Sequence, residues 1–225
     1  MRRPALAALA LLVFAWGCAP DQTIDEPTTS VAAAVGAASP ELAVSELFRL
    51  LRRQEVGDVL ALTAPDQMVV VALAEGVAVD DALLLQSTGV DAIARNFWTG
   101  FRSSVLEALG EETIEVRIGE VERFVAGGVQ YARVPVLFPL DGLGRDFYAV
   151  ENGSRWSIDV VASFAAALVP KIPEMADAVR RHPDASALAG ILRGLDPSLE
   201  AVSQDDELDV SVRQAVIAAL EAIRR

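Results

Sequence analysis

One histidine, one cysteine and two tyrosines bound the side-chain chemistry open to this 225-residue chain. With His182 alone, metal sites that need several histidine ligands cannot be assembled within one chain. Acid–base work can proceed without histidine, on a carboxylate whose proton affinity is tuned by burial and a neighbouring phenol. The residues of these types on strand-forming stretches are Asp146, Tyr131, Tyr148 and Asp159, and the first three form the candidate catalytic set. Asp159 alternates with Trp156, Ile158 and Val160, which belong to the core, so it is expected to point outward into solvent. Asp146 shares a face with Tyr148 and Val150, and alternation leaves open which face that is. No cofactor is expected: Asp141 to Asp146, DGLGRD, has too little glycine and no following helix to cradle a phosphate. No metal is expected either, because the acids at 205–209 lack the spacing, glycine and terminal glutamate of a Ca²⁺ loop.

These candidates depend on strands that follow a group of helices. Ser39 is a good N-cap, with Pro40 and Glu41 in the first turn, and Val44, Leu47, Phe48 and Leu51 then mark one buried helical face. Gly57 can end that helix, and Asp58 can cap a short second one before Pro65. Residues 66–86 favour short helices around Gly76. Ile93, Phe97, Phe101 and Val105 give a long helix with an aromatic face, stopped at Gly110.

From Ile114 the period changes to two. Ile114, Val116 and Ile118 alternate with charges, and Gly119 shifts the phase as a β-bulge would. A turn at 125–130 leads to a strand from Tyr131 to Phe138, where Pro135 requires an edge or a bulge. A third strand covers Phe147 to Glu151, and Asn152-Gly153 signals a type I′ hairpin into the strand of Trp156. Helices followed by antiparallel strands make the class α+β. After Val161, Pro170 and Pro173 break the chain, a short helix fits 185–194, and a final helix places Val216, Ile217, Leu220 and Ile223 on one face. This C-terminal helical extension, 162–225, is expected to cap the preceding domain, with docking of a partner as the alternative.

Cys18 is a separate matter. Arg2 and Arg3, an apolar stretch from Ala5 to Trp16 and Gly17 give residues 1–17 the layout of an export signal, too short for a spanning helix of roughly 20 residues. Ala15, Trp16, Gly17 and Cys18 resemble the lipobox of bacterial lipoproteins, with Ala15 where leucine is usual. That resemblance implies cleavage before Cys18, acylation of its thiol and an extracytoplasmic protein held to a bacterial membrane by lipid. Residues 18–38, rich in Pro, Thr, Ser and Ala, then serve as a flexible tether. With one cysteine there is no intramolecular disulfide, so the fold rests on its core. The formal charge of -13 becomes -15 once Arg2 and Arg3 are removed, which repels nucleic acid and anionic headgroups.

The helix, Gly-Asp break and short Ala/Leu helix at 39–65, together with RDFYAVENGSRWSIDV at 145–160, resemble the opening and the closing hairpin of the nuclear transport factor 2-like (cystatin-like) superfamily. Residues 39–161 carry the likeness, which implies a curved antiparallel sheet wrapped over helices as a cone, often with a pocket at its open end. Superfamily enzymes place Asp and Tyr inside the cone, but many members are small exported lipoproteins without an assigned activity, and fold does not settle function. His182-Pro183-Asp184 resembles the tripeptide of J-domain co-chaperones, but its surroundings do not match, and a turn between helices is expected there. The sequence therefore favours a non-enzymatic, lipid-anchored envelope protein that binds a partner protein, a second copy of itself or a small apolar ligand. A small lyase or isomerase using the cone carboxylate and a tyrosine is the alternative.

Overall fold

The computed structural model describes residues 36–110, 114–139 and 144–225; residues 1–17, read as an export signal, Cys18 and most of the stretch expected to be a tether lie outside them. Ser39 Oγ accepts from the Leu42 N–H at 3.3 Å and starts α1 (Pro40–Arg53), which buries Val44, Leu47, Phe48 and Leu51 as their spacing predicts. A 3-10 turn (Val56–Leu62) stands where the short second helix was expected. Residues 66–86 are indeed helical, as α2 (Pro65–Ala74) and α3 (Val79–Thr88). The long helix α4 (Asp91–Leu109) ends at Gly110 with a left-handed φ of 64°.

Five antiparallel strands follow: β1 (Arg117–Ile118), β2 (Glu122–Ala126), β3 (Val129–Leu137), β4 (Gly144–Asn152) and β5 (Arg155–Asp159). They form a curled half-barrel over the helices, with β3 bordered on one side by β1 and β2 in succession. Between Ile118↔Val136 and Glu122↔Arg133 the edge strand carries one extra residue, and Gly119 N–H donates to the Pro135 carbonyl at 2.7 Å. This is the bulge the glycine predicts, and it lies opposite the proline that cannot donate to the ladder. The β2–β3 loop is Gly127-Gly128, both at positive φ, as a type I′ turn demands. The β4–β5 turn differs from its prediction. Asn152 pairs with Arg155, so the central residues are Gly153 and Ser154, with φ of 65° at Gly153 alone. Glycine at the first central position is the type II′ pattern, and the loop falls one residue later than Asn-Gly suggests.

The remaining helices are α5 (Val160–Ser163), α6 (Ala165–Leu168), α7 (Ile172–Arg181), α8 (Ser186–Arg193), α9 (Asp196–Ser203) and α10 (Val210–Arg224). They do not form a core of their own: Leu168, Ile172, Leu188 and Leu199 are fully buried in the same cluster as Leu47, Trp98 and Phe147. On α10, Val216 and Ile223 are buried, whereas Ile217 is 56% exposed. The buried stripe runs through Val212, Val216, Ala219 and Ile223, so Ile217 is one step of the helix out of phase with the face expected to carry it.

Residues 36 and 37, at the end of the stretch expected to be a flexible tether, are held against the fold. Gly36 N–H donates to the Ala61 carbonyl at 2.6 Å, Ala37 bridges to Trp156, and Arg155 donates to the Gly36 carbonyl. A Cβ on Gly36 would fall 2.6 Å from the Trp156 carbonyl oxygen, so the entering chain lies flat on the edge strand β5. That contact also covers an edge that would otherwise offer unpaired backbone groups.

Candidate functional site

Register decides which side chains share a face. On β4, Phe147 and Ala149 face the helices with Val134, Ala132 and Ile158, while Asp146 and Tyr148 lie on the opposite, outer face with Tyr131, Arg133, Phe124 and Asp159. The concave side is filled by an aromatic cluster: Phe147 packs edge-on against Phe48 at 5.4 Å, Phe101 at 6.0 Å and Phe164 at 6.0 Å. The candidate acid and both tyrosines thus stand outside the cone rather than within it.

Asp159 is fully buried, contrary to the expectation that it meets solvent. Alternation assigned its side correctly, since it lies opposite Trp156 and Ile158. The correction is that the outer face is covered, by α9 packing on β2 and α5. Asp159 Oδ1 caps α5 by accepting from the Ala162 N–H at 2.9 Å, and its Oδ2 accepts from Tyr131 Oη at 2.9 Å and from Ser198 Oγ at 2.6 Å. Gln67 of α2 reaches the same spot and accepts from the Val160 N–H. Burial pushes the Asp159 carboxyl above the usual range, and the bonds from Ala162, Ser198, Tyr131 and Gln67 only partly oppose it. The Tyr131 phenol is pushed up as well, first by burial and then by the Asp159 charge.

Tyr148 belongs to a second group. Its hydroxyl donates to Asp205 Oδ2 at 3.4 Å, Arg133 donates to Asp205 Oδ1 at 3.2 Å, and Arg133 also donates to Glu122. Burial, followed by the charges of Asp205 and Asp146, raises the Tyr148 pKa. Asp146, half-buried at the rim, is raised by burial and by Asp205 and Glu207, against the pull of Arg133. Asp146 pairs in register with Pro135, four residues along β3 from Tyr131. At roughly 3.3 Å per residue that is about 13 Å of strand, so Asp146 and Tyr131 do not meet.

The chemistry of this arrangement is that of a seam. A buried carboxylate with a raised pKa has the makings of a general acid, but both oxygens of Asp159 are already engaged, Oδ2 by Tyr131 and Ser198 and Oδ1 by the Ala162 N–H. A cleft of about 420 Å³ lies between the start of α2 (Ala64, Asp66, Gln67) and α8 (Ala187, Gly190, Ile191), and its lining includes Gln67, the residue that reaches the Asp159 group. A second, of about 40 Å³, lies at Glu122, Arg133, Tyr148 and Asp205, too small for more than a water or two. His182 forms the expected turn after α7 and pairs with Asp80 at 2.9 Å. Of the acids at 205–209, Asp205 holds Arg133 and Asp209 caps α10. Among the described residues no cluster of His, Cys, Asp and Glu could hold a metal ion. Cys18 lies outside the described residues.

Sequence reasoning missed Ser198 and the helix that carries it. The available signal was Asp196-Pro197, a proline with an acid in a first turn, as at Pro40-Glu41 and Pro65-Asp66. Pro197 also abuts Gly127: a Cβ there would come within 2.9 Å of Pro197, so this close approach sets how α9 seats on the β2–β3 turn. Comparison with known proteins gives no relative, for no family model, curated protein or solved structure matches the chain.

Proposed function

We propose that this is a non-enzymatic envelope protein, exported and lipid-anchored through Cys18, whose nuclear transport factor 2-like cone and helical extension bind a partner protein or a small apolar ligand. The observation that carries the binding half is that the tyrosines and Asp159 are joined to the extension on a covered face, with both oxygens of the Asp159 carboxylate engaged by Tyr131, Ser198 and the Ala162 N–H. A lyase or isomerase needs a carboxylate that a substrate can reach, and Asp146, the accessible one, is held near Arg133 and Asp205 without a tyrosine free to assist it. The anchoring half rests on the lipobox-like residues at 15–18. Two or more acyl chains on the cysteine would hold the protein at a membrane essentially permanently, at about 0.8 kcal/mol per buried methylene. Among the described residues no helix is long and apolar enough to cross a membrane.

Mass spectrometry of the full chain, produced in a bacterium and extracted from its membranes in mild detergent, tests both halves. The expected result is a mature chain that begins at Cys18 and carries diacylglycerol, with a retained ligand or second chain under native conditions. Cys18→Ala should move the protein out of the membrane fraction. An unprocessed or unlipidated chain would remove the anchor from the proposal, and a bare monomer that captures nothing would remove the small ligand and the second copy.

A further inference from the structure

Gly190 stands in the middle of α8 without a local reason to be glycine. Its backbone does not enter the positive-φ region, and a Cβ added to it would meet nothing within 4 Å. A glycine inside a helix costs about 1 kcal/mol relative to alanine, so neither backbone geometry nor packing accounts for the missing side chain. What its absence keeps open is the cleft of about 420 Å³ between α8 and the start of α2, within the range of about 300–1,000 Å³ typical of small-molecule sites. Ala64 and Ala187 add one side-chain carbon each to the walls and Gly194 none, which leaves Ile191 and Leu195 as the apolar part of the lining.

The polar groups of the cleft favour one sign of charge. Gln67 is nine-tenths buried, and its Oε1 accepts from the Val160 N–H, which fixes the amide between the cleft and the Asp159 group. Asp66, beside it on the first turn of α2, is exposed, and its carboxylate has no hydrogen bond or ion pair among the described residues. On the other wall the Leu195 N–H donates to the Leu192 carbonyl at 3.1 Å, so the Ile191 carbonyl lacks the donor that would close the last turn of α8. No lysine, arginine or histidine lines the cleft. A carboxylate and the carbonyl end of a helix both attract a cation, and a net charge of -13 disfavours anions.

We propose that this cleft binds a small alkylammonium ion, its charged nitrogen between Asp66 and the Ile191 carbonyl and its hydrocarbon body against Ile191, Leu195 and the bare helix face at Gly190. An ammonium carries three donors and no acceptor, which suits a site whose unpaired groups are acceptors. Such a ligand bridges α2 and α8, and so ties the extension to the helices that precede the sheet. This rests on the small-ligand half of the proposed function and names its site and ligand class.

The test is an NMR titration of the full chain, labelled with ¹⁵N in glycine and kept in mild non-ionic detergent near neutral pH, with cyclohexylamine, cyclohexanol and cyclohexanecarboxylate in turn. Cyclohexylamine should shift the Gly190 and Gly194 amide resonances saturably and bind at least about threefold tighter than cyclohexanol, with the carboxylate weakest. Asp66→Asn should bring the amine down to the affinity of the alcohol. Gly190→Leu, which fills the cleft and suits a helix better than glycine, should keep the fold and weaken both ligands by at least about tenfold. Equal binding of amine and alcohol at these glycines would overturn the ammonium class while keeping a small apolar ligand in the cleft. Shifts confined to other glycines would overturn the cleft as the site. No saturable shift from any probe by about 10 mM would overturn the site altogether, and a molecule retained under native conditions would then support the small-ligand reading without it. The comparison of the three probes on the unsubstituted protein decides the matter even where a variant fails to fold.

Discussion

Replacing Asp159 by alanine is expected to destabilise the protein by about 4 kcal/mol, read as a fall in Tm of roughly 12 °C for a folded part of this size. The loss is the sum of three parts. Asp159→Ala removes the cap of α5, worth about 1 kcal/mol, and leaves the buried hydroxyls of Tyr131 and Ser198 without their acceptor, at about 1–3 kcal/mol each. Asp159→Asn keeps an oxygen for the Ala162 N–H and should cost less than half as much. The two proteins should also differ with pH, in a direction fixed by linkage. Because burial raises the folded pKa above the 3.8 of a free carboxyl, the folded protein holds the Asp159 proton to higher pH than the unfolded chain does. Stability from this group is therefore fully present below 3.8 and is lost as pH rises through the folded value. Plotted against pH, the Tm of the wild type minus that of Asp159→Asn should decline across this window. A difference that rises instead would mean that the carboxylate is favoured, not disfavoured, in the fold.

Ending the chain after Val161 is expected to abolish cooperative folding. The superfamily likeness ends there, so a self-sufficient domain at 39–161 would survive the cut. The packing says otherwise. Truncation removes Phe164, which meets Phe97 at 5.0 Å and Phe101 at 5.3 Å, and the fully buried Leu168, Ile172, Leu188 and Leu199. At about 1.5–3 kcal/mol for each large apolar side chain taken from water, these five alone match a typical net stability of about 5–15 kcal/mol. The cut also bares Tyr131 and Asp159. Size-exclusion chromatography and a circular dichroism melt of residues 36–161 should show aggregate or a chain without a transition. A monomer with a sharp melt would establish the extension as a removable appendage.

How far the sequence reveals these features follows from what each depends on. Helices defined by spacing and capping, such as α1 with Ser39, Pro40 and its Val44–Leu51 stripe, were legible because the determinants are local. Gly119 and Pro135 together announced the bulge, since each is a local restriction that the other satisfies. Alternation told which face Asp159 takes but not that the face is covered, because α9 reaches it from 39 residues away. Because the expected strand starts at Phe147 whereas β4 starts at Gly144, alternation stops short of Arg145, which lies in phase with Phe147 and brings a charge inside the cone. Its guanidinium rests among three phenylalanines brought from α4, β4 and the α5–α6 junction, a juxtaposition that no local rule contains.

The central claim is that the acid–tyrosine face is sealed by the extension, and the chain offers a direct reporter, because Tyr131 and Tyr148 are its only tyrosines. Both phenols are held well above the ordinary value of 10.0, chiefly by burial. The measurement is tyrosine ionisation by ultraviolet absorbance in a titration towards high pH, with circular dichroism recorded on the same samples. Neither tyrosine should ionise while the fold persists, and both should do so together in the transition that unfolds it, since the unfolded chain releases the protons that the folded one retains. A phenol that titrates near 10 with the circular dichroism unchanged would show a face open to water and to substrate, and would move the lyase or isomerase alternative ahead of the binding reading.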